Sequence, residues 1–249
     1  GEPEDVAAID PAGLLTHYRK ILRESRIEIF YVGSAPAEAV AEYLSPLVSR
    51  LGGREGLLPP QTPFHPCPGR DVTETMEVSQ GKLCMGFVTP IVNRDKEFPA
   101  MQVFNTVFGA GMTSKLFLNV REKLSLCYYA SSNYVRSKGI LTVSSGIESA
   151  DYQRALDEIL HQLQEVRDGH WEPWELEGAR STMRSALASL PDSQGALENY
   201  CLGQAATGQS EDPETMQRLL DQVTPERIQA AAQSVTLDTV YFLHGKEDA

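Results

Sequence analysis

The chain has 249 residues, 41% of them hydrophobic and 22% charged, and its 22 Lys and Arg against 34 Asp and Glu leave a net charge of −12. That length suffices for one large core or two small ones, while the acidic balance argues against a nucleic-acid partner and against an anionic membrane surface, both of which call for a basic face. No apolar run approaches the ~20 residues of a membrane span, and Gly1-Glu2-Pro3-Glu4-Asp5 lacks the basic and apolar regions of a signal peptide.

Residues 1–9 are expected to be a linker or the remnant of a cut in a longer chain. Asp10-Pro11 then reads as an N-cap followed by Pro at the first helical position, and Leu14, Leu15, Tyr18, Ile21 and Leu22 follow at helical spacing. Ile27 to Val32 is a short apolar run before Gly33, as in a buried strand. Val40, Tyr43, Leu44, Leu47, Val48 and Leu51 mark an amphipathic helix ended by Gly52-Gly53. Residues 54–70, rich in Pro and Gly, read as a loop. Strands are expected at about 71–79 and 82–89, paired as a hairpin around Gln80-Gly81.

Phe98, Met101, Phe104, Val107 and Phe108 suggest a helix closed by Gly109 and Gly111. Thr113 is placed to cap the next helix, with Leu116, Phe117, Val120 and Leu124 on its apolar face. Two strands follow, about 126–136 and 139–147, turned at Lys138-Gly139. In the second, Leu141, Val143 and Ile147 alternate with Thr142 and Ser144. Helices are expected from Tyr152 onward and at about 172–190, 194–207, 213–222 and 225–235, then a strand from Leu237 to His244. Hairpins outnumber β-α-β crossovers, so the fold class is α+β: an antiparallel or mixed sheet with helices packed on one face. The whole chain, 1–249, is read as one domain.

The familiar catalytic signatures are missing. Gly109-Ala110-Gly111-Met112-Thr113-Ser114-Lys115 lacks the spacing of a Walker loop and the third Gly of a dinucleotide fingerprint, and reads as a joint between two helices. The histidines at 17, 65, 161, 170 and 244 form neither H-E-x-x-H nor H-x-x-E-H. His161 and Glu165 lie four apart without an evident third ligand, so no metal site is assigned. Cys67, Cys84, Cys127 and Cys201 are scattered and read as free thiols of a reducing cytosol, which makes the expected location cytoplasmic.

One segment stands apart. Residues 113–138 hold Lys115, Arg121, Lys123, Arg136 and Lys138 against one acid, Glu122. Such a local positive field could attract the carbonyls or carboxylates of a ligand. Arg121 falls at a helix end and Tyr128 on the strand that follows, and a guanidinium and a phenol can both donate to peptide carbonyls. The same residues have a plainer reading, in which Arg121 complements a helix dipole and Tyr128 packs on a sheet.

Ser114-Lys115-Leu116-Phe117, then Arg121-Glu122-Lys123, then Leu126 and Tyr128 resembles the S-x-L-[FY], R-E-K, G-L-x-Y stretch of the insulinase/pitrilysin/mitochondrial-processing-peptidase family of zinc metallopeptidases, in the second domain of each half of those molecules. Ile27 to Gly33, Lys138 to Glu148 and Glu175 to Leu187 look like other parts of that domain, so the resemblance covers about 10–245. Tyr128 to Ser131 and Ser145 to Glu148 look most like bacterial non-catalytic subunits. One departure is Ser125, where the family often has Gly.

The resemblance implies a domain with no catalytic residue and no metal of its own. Arg121 and Tyr128 would hold a substrate peptide that adds as an edge strand, while zinc acts on a partner domain or subunit. Tyr129 is set aside because it is expected on the opposite strand face. The alternative within the same family is a structural or assembly subunit with no proteolytic role. The expected partners are the zinc-bearing catalytic domain and a peptide, with neither nucleic acid nor membrane.

Overall fold

The structure, a computed structural model, describes residues 2–51 and 69–246. In chain order the elements are α1 (Pro3–Ala7), α2 (Pro11–Glu24), α3 (Ala37–Ser49), β1 (Arg70–Met76), β2 (Gly81–Val88), α4 (Phe98–Asn105), β3 (Cys127–Val135), β4 (Ile140–Ile147), α5 (Tyr152–Arg167), α6 (Pro173–Ala188), α7 (Gln194–Ala205), α8 (Pro213–Asp221), α9 (Pro225–Gln233) and β5 (Thr236–Gly245). Two wider, π-helical segments, Thr106–Ala110 and Leu116–Lys123, lie between α4 and β3. Apart from residues 69 and 70, the loop expected over 54–70 lies outside the described residues, as do Gly52-Gly53, His65 and Cys67.

The chain divides into two compact units: Gly1–Gln61 with Pro191–Ala206, and Thr62–Leu190 with Thr207–Ala249. The first holds α1, α2, α3 and α7. Asp10 caps α2 as expected, its carboxylate accepting from the N–H groups of Ala12 and Gly13 at 2.9 Å. The strand expected over Ile27–Val32 does not form. Ile29, Tyr31 and Val32 are exposed there, and this unit contributes no second strand among the described residues. An apolar run makes a segment fit for a sheet, but a strand also needs a neighbour's ladder.

The second unit carries a five-stranded mixed sheet in the order β1-β5-β2-β4-β3, an α+β architecture as expected. β3 and β4 form the expected hairpin, paired from Cys127↔Ile147 to Val135↔Ile140. Its turn is Gly139 at φ +63, where any Cβ would run into the Thr89 carbonyl.

The other expected hairpin is overturned. β1 and β2 are not neighbours: β5 enters between them, parallel to β1 and antiparallel to β2. Val240 and Phe242 make β5 fit for a central position, whereas every residue of Arg-Asp-Val-Thr-Glu-Thr-Met in β1 is exposed, as an outermost strand tolerates.

Strand alternation sends Leu83, Met85, Phe87, Leu141, Val143, Val240 and Phe242 into one continuous core with Phe104 and Phe108, Ile159 and Leu163 of α5, and Ile228 of α9. The helices thus cover one face of the sheet. Phe104 and Phe108 stack at 5.7 Å, and each such fully buried side chain contributes about 1.5–3 kcal/mol by leaving water.

Candidate functional site

The Leu116–Lys123 segment is held from three sides. Ser114, not Thr113, supplies its cap: Ser114 Oγ accepts from the Phe117 N–H at 3.3 Å. Lys115 Nζ lies 3.4 Å from both carboxylate oxygens of Glu175, and both side chains are buried. Glu175 also accepts from the Glu172 N–H at 2.7 Å, so one carboxylate ties this segment to the start of α6. Asn119 Nδ2 donates to Gln162 Oε1 of α5 at 2.9 Å. The joint before it depends on Gly109, where a Cβ would come within 2.6 Å of Ser132 Oγ and 2.7 Å of Leu116.

The segment ends with i→i+5 bonding. The Leu124 N–H donates to the Asn119 carbonyl at 3.1 Å. The chain then reverses through Ser125 at φ +52, the one described non-glycine residue with positive φ. A left-handed backbone suits glycine better than serine at this position.

Arg121 and Tyr128 are brought together, though not as a pair of free side chains. Arg121 Nε donates to the Tyr128 main-chain carbonyl at 3.0 Å. Its Nη1 donates to Glu122 Oε1 at 2.8 Å, and its guanidinium carbon stands 4.8 Å over the Phe117 ring. The Tyr128 ring is left outside, 80% exposed.

The cause is a register shift between Cys127 and Tyr129. Ala130 and Ser132 alternate inward with Ser131 and Asn133 outward, a pattern that would bury Tyr128. The shift takes Tyr128 out of the alternation, so Tyr128 and Tyr129 are both exposed. Tyr129 lies against Gly146, where a Cβ would come within 2.7 Å of the ring. Beside them Cys127 is half-buried; burial pushes its thiol pKa up, opposed by the neighbouring Ser145 hydroxyl and the Arg121 charge.

The positive field read from the sequence is rearranged. Lys115 is neutralised inside by Glu175, and Arg121 is shared with Glu122. Arg136 and Lys138 lie at the far end of β3. There the Asn93 N–H donates to the Arg136 carbonyl at 2.9 Å and the Thr89 N–H to the Gly139 carbonyl at 2.8 Å. Arg94 and Lys96 thereby join the β3–β4 turn, which sequence reading missed, since nothing local links positions about 40 residues apart.

Among the described residues no group of three His, Cys, Asp or Glu is placed to hold a metal. Glu165 faces His170, at 3.3 Å, rather than completing a site with His161. No helix among the described residues is long and apolar enough to cross a membrane.

The class defined by the structure is an α+β domain: a mixed sheet with helices on one face, an Arg–Tyr contact at the start of its β3 edge and, among the described residues, no metal centre. Residues 8–183 match the family described as "Peptidase M16 inactive domain", and the chain belongs to that family. It is 31% identical over 249 residues to the "Probable inactive metalloprotease YmfF" of Bacillus subtilis, covering 100% of this chain and 58% of that protein. It is 26% identical over 167 residues to the "Uncharacterized zinc protease YmxG" of the same organism, covering 66% of this chain and 41% of that protein.

Among solved structures, a conserved protein from Enterococcus faecalis superposes with a TM-score of 0.84 at 30% identity, over 99% of this chain and 58% of that one. A peptidase M16 inactive domain from Pseudomonas fluorescens superposes at 0.74 and 18% identity, over 98% of this chain and 60% of that one, a likeness of fold. The chain therefore spans under two thirds of these relatives' length. It is an inactive M16-family domain of a zinc-protease-like protein, and the family's zinc belongs to the catalytic partner domain.

Proposed function

We propose that this domain is the substrate-holding half of a bacterial, cytoplasmic peptide-hydrolysing assembly. A peptide adds along the edge of β3, Arg121 and Tyr128 hold it, and zinc on a partner domain or subunit cuts it. The observation that carries the reading is the exposed Tyr128 side chain on the terminal strand of the sheet, with the Arg121 guanidinium bound to the Tyr128 main-chain carbonyl. No further strand pairs with β3 on its outer side among the described residues. An open ladder edge can take an extended chain by main-chain hydrogen bonding. The phenol can donate to a peptide carbonyl, and positioning the scissile bond would be the domain's contribution to rate.

The test is reconstitution with the zinc-bearing partner. The chain alone should cleave no peptide, the mixture should, and Arg121→Ala together with Tyr128→Phe should lower that activity under conditions where the variant stays folded and bound to its partner. Full activity in the double variant would remove both residues from the site.

A structural or assembly role is the second reading. It is favoured by the bonds Arg121 already makes to Glu122 and to the Tyr128 carbonyl, and a stable complex that cleaves no peptide would select it.

A further inference from the structure

The fold brings two basic segments together at the end of β3 remote from Tyr128. Arg136 and Lys138 come from the β3–β4 turn, Arg94 and Lys96 from the loop after β2, and the Asn93-to-Arg136 and Thr89-to-Gly139 hydrogen bonds hold the two segments together. Tyr134 adds a third tie, its hydroxyl donating to the Ile91 carbonyl at 2.6 Å.

Two acids lie in the same loop; Asp95 keeps its charge beside Tyr134, while Glu97 is paired with a cation outside the group. Asp95 Oδ2 accepts from the Val92 N–H at 2.7 Å, and Glu97 pairs with Arg227 at 3.0 Å. None of the four cations has an ion-pair partner among the described residues. In a chain of net charge −12, four cations against the one carboxylate of Asp95 leave a local positive excess that opposes the overall balance. They lie beside the one end of the open edge that the Arg121–Tyr128 contact leaves free.

We propose that these two basic segments select peptides carrying acidic side chains at the end that lies over the β3–β4 turn. The inference rests on the edge-addition reading above and adds a substrate class to it. From Tyr128 to Arg136 a strand rises roughly 26 Å at about 3.3 Å per residue, so an extended peptide of about eight to ten residues reaches from the phenol to the cations. Its outward side chains would pass Ser131 and Asn133, which are short and polar. The acidic residues then sit about eight positions from the residue held by Tyr128. Attraction at that range is local, because exposed charges are screened beyond about 10 Å at ordinary salt.

The experiment uses the whole chain and three fluorescent ten-residue peptides of alternating Ser and Val, ended by three acidic, three neutral amide or three basic residues. Each is made with the triplet at either terminus. Affinity is read by anisotropy, and hydrogen exchange reads protection of the β3 amides. The acidic peptide should bind roughly tenfold tighter than the neutral one at low salt, three exposed pairs each giving roughly a two- to fivefold effect. The ratio should fall below about twofold near 1 M salt, and Arg136→Gln with Lys138→Gln should remove most of it.

Equal affinities of acidic and neutral peptides, with β3 amides protected by both, overturn the charge selection and leave edge addition standing. Absence of β3 protection with every peptide overturns edge addition and the selection with it. Tighter binding of the basic peptide reverses the sign and also overturns the proposal.

Discussion

Arg121 Nε donates to the main-chain carbonyl of Tyr128 at 3.0 Å, bridging seven residues across the end of a helix, a left-handed serine and the start of an edge strand. The contact satisfies a carbonyl that the register shift removes from the β3–β4 ladder. Arg121→Ala should therefore destabilise the domain by about 0.5–1.5 kcal/mol, the net worth of one hydrogen bond whose carbonyl can turn to water. Urea unfolding measures the loss, and hydrogen exchange should quicken at residues 126–129 while β4 stays protected. Unchanged exchange there would mean that Arg121 does not hold the shifted residue.

Ser125 stands at φ +52 without glycine's freedom. A left-handed non-glycine residue costs about 1–2 kcal/mol, part of which glycine returns through its larger unfolded-state entropy. Ser125→Gly should raise stability by about 0.5–1 kcal/mol, and Ser125→Val should lower it by at least about 1 kcal/mol, because a β-branched side chain tolerates positive φ poorly. Thermal unfolding of the two variants orders them: glycine above the parent, valine below it.

The Lys115–Glu175 pair is buried, at 8% and 6% side-chain exposure. Removing one partner leaves a charge without compensation, so Glu175→Leu should cost about 3 kcal/mol or more. The double change Lys115→Met with Glu175→Leu should recover most of that, since an apolar pair of similar volume suits the same site. A double-mutant cycle gives the coupling; additive losses would mean the two groups do not interact.

Burial raises the Cys127 pKa above its ordinary value. The native state therefore holds the thiol proton more firmly than the unfolded chain does. The resulting stability is complete below the unfolded pKa and is lost as pH rises from there through the higher folded value. Iodoacetamide should alkylate Cys127 more slowly in the folded protein than in urea at pH 8, and Cys127→Ser should flatten the fall of stability in alkaline solution. Equal alkylation rates in the two states would contradict the burial.

Local pattern located most helices and all five strands of the sheet to within a few residues, because the 3.6- and 2-residue periods are printed directly in the apolar positions. Leu83, Met85 and Phe87 alternate with Lys82, Cys84 and Gly86, and Leu141, Val143 and Ile147 are buried as their spacing predicts. The Arg121-to-Tyr128 spacing was likewise legible, and so was the turn at Gly139. The same pattern misled where pairing was concerned. Ile27–Val32 has the composition of a strand but finds no ladder among the described residues of its unit, and Gln80-Gly81 suggested a hairpin whose two strands β5 separates.

The sequence by itself determined the element types, the α+β class and the absence of the familiar zinc spacings, because each depends on residues near one another in the chain. Only the tertiary structure decided that β5 lies between β1 and β2, and that Arg121 reaches Tyr128 through its carbonyl while the phenol stays outside. It also decided that Lys115 spends its charge on Glu175 while Arg94 and Lys96 join Arg136 and Lys138. Strand order, side-chain exposure at a shifted register and the grouping of charges are set by contacts between distant segments, and periodicity carries no record of which segments meet.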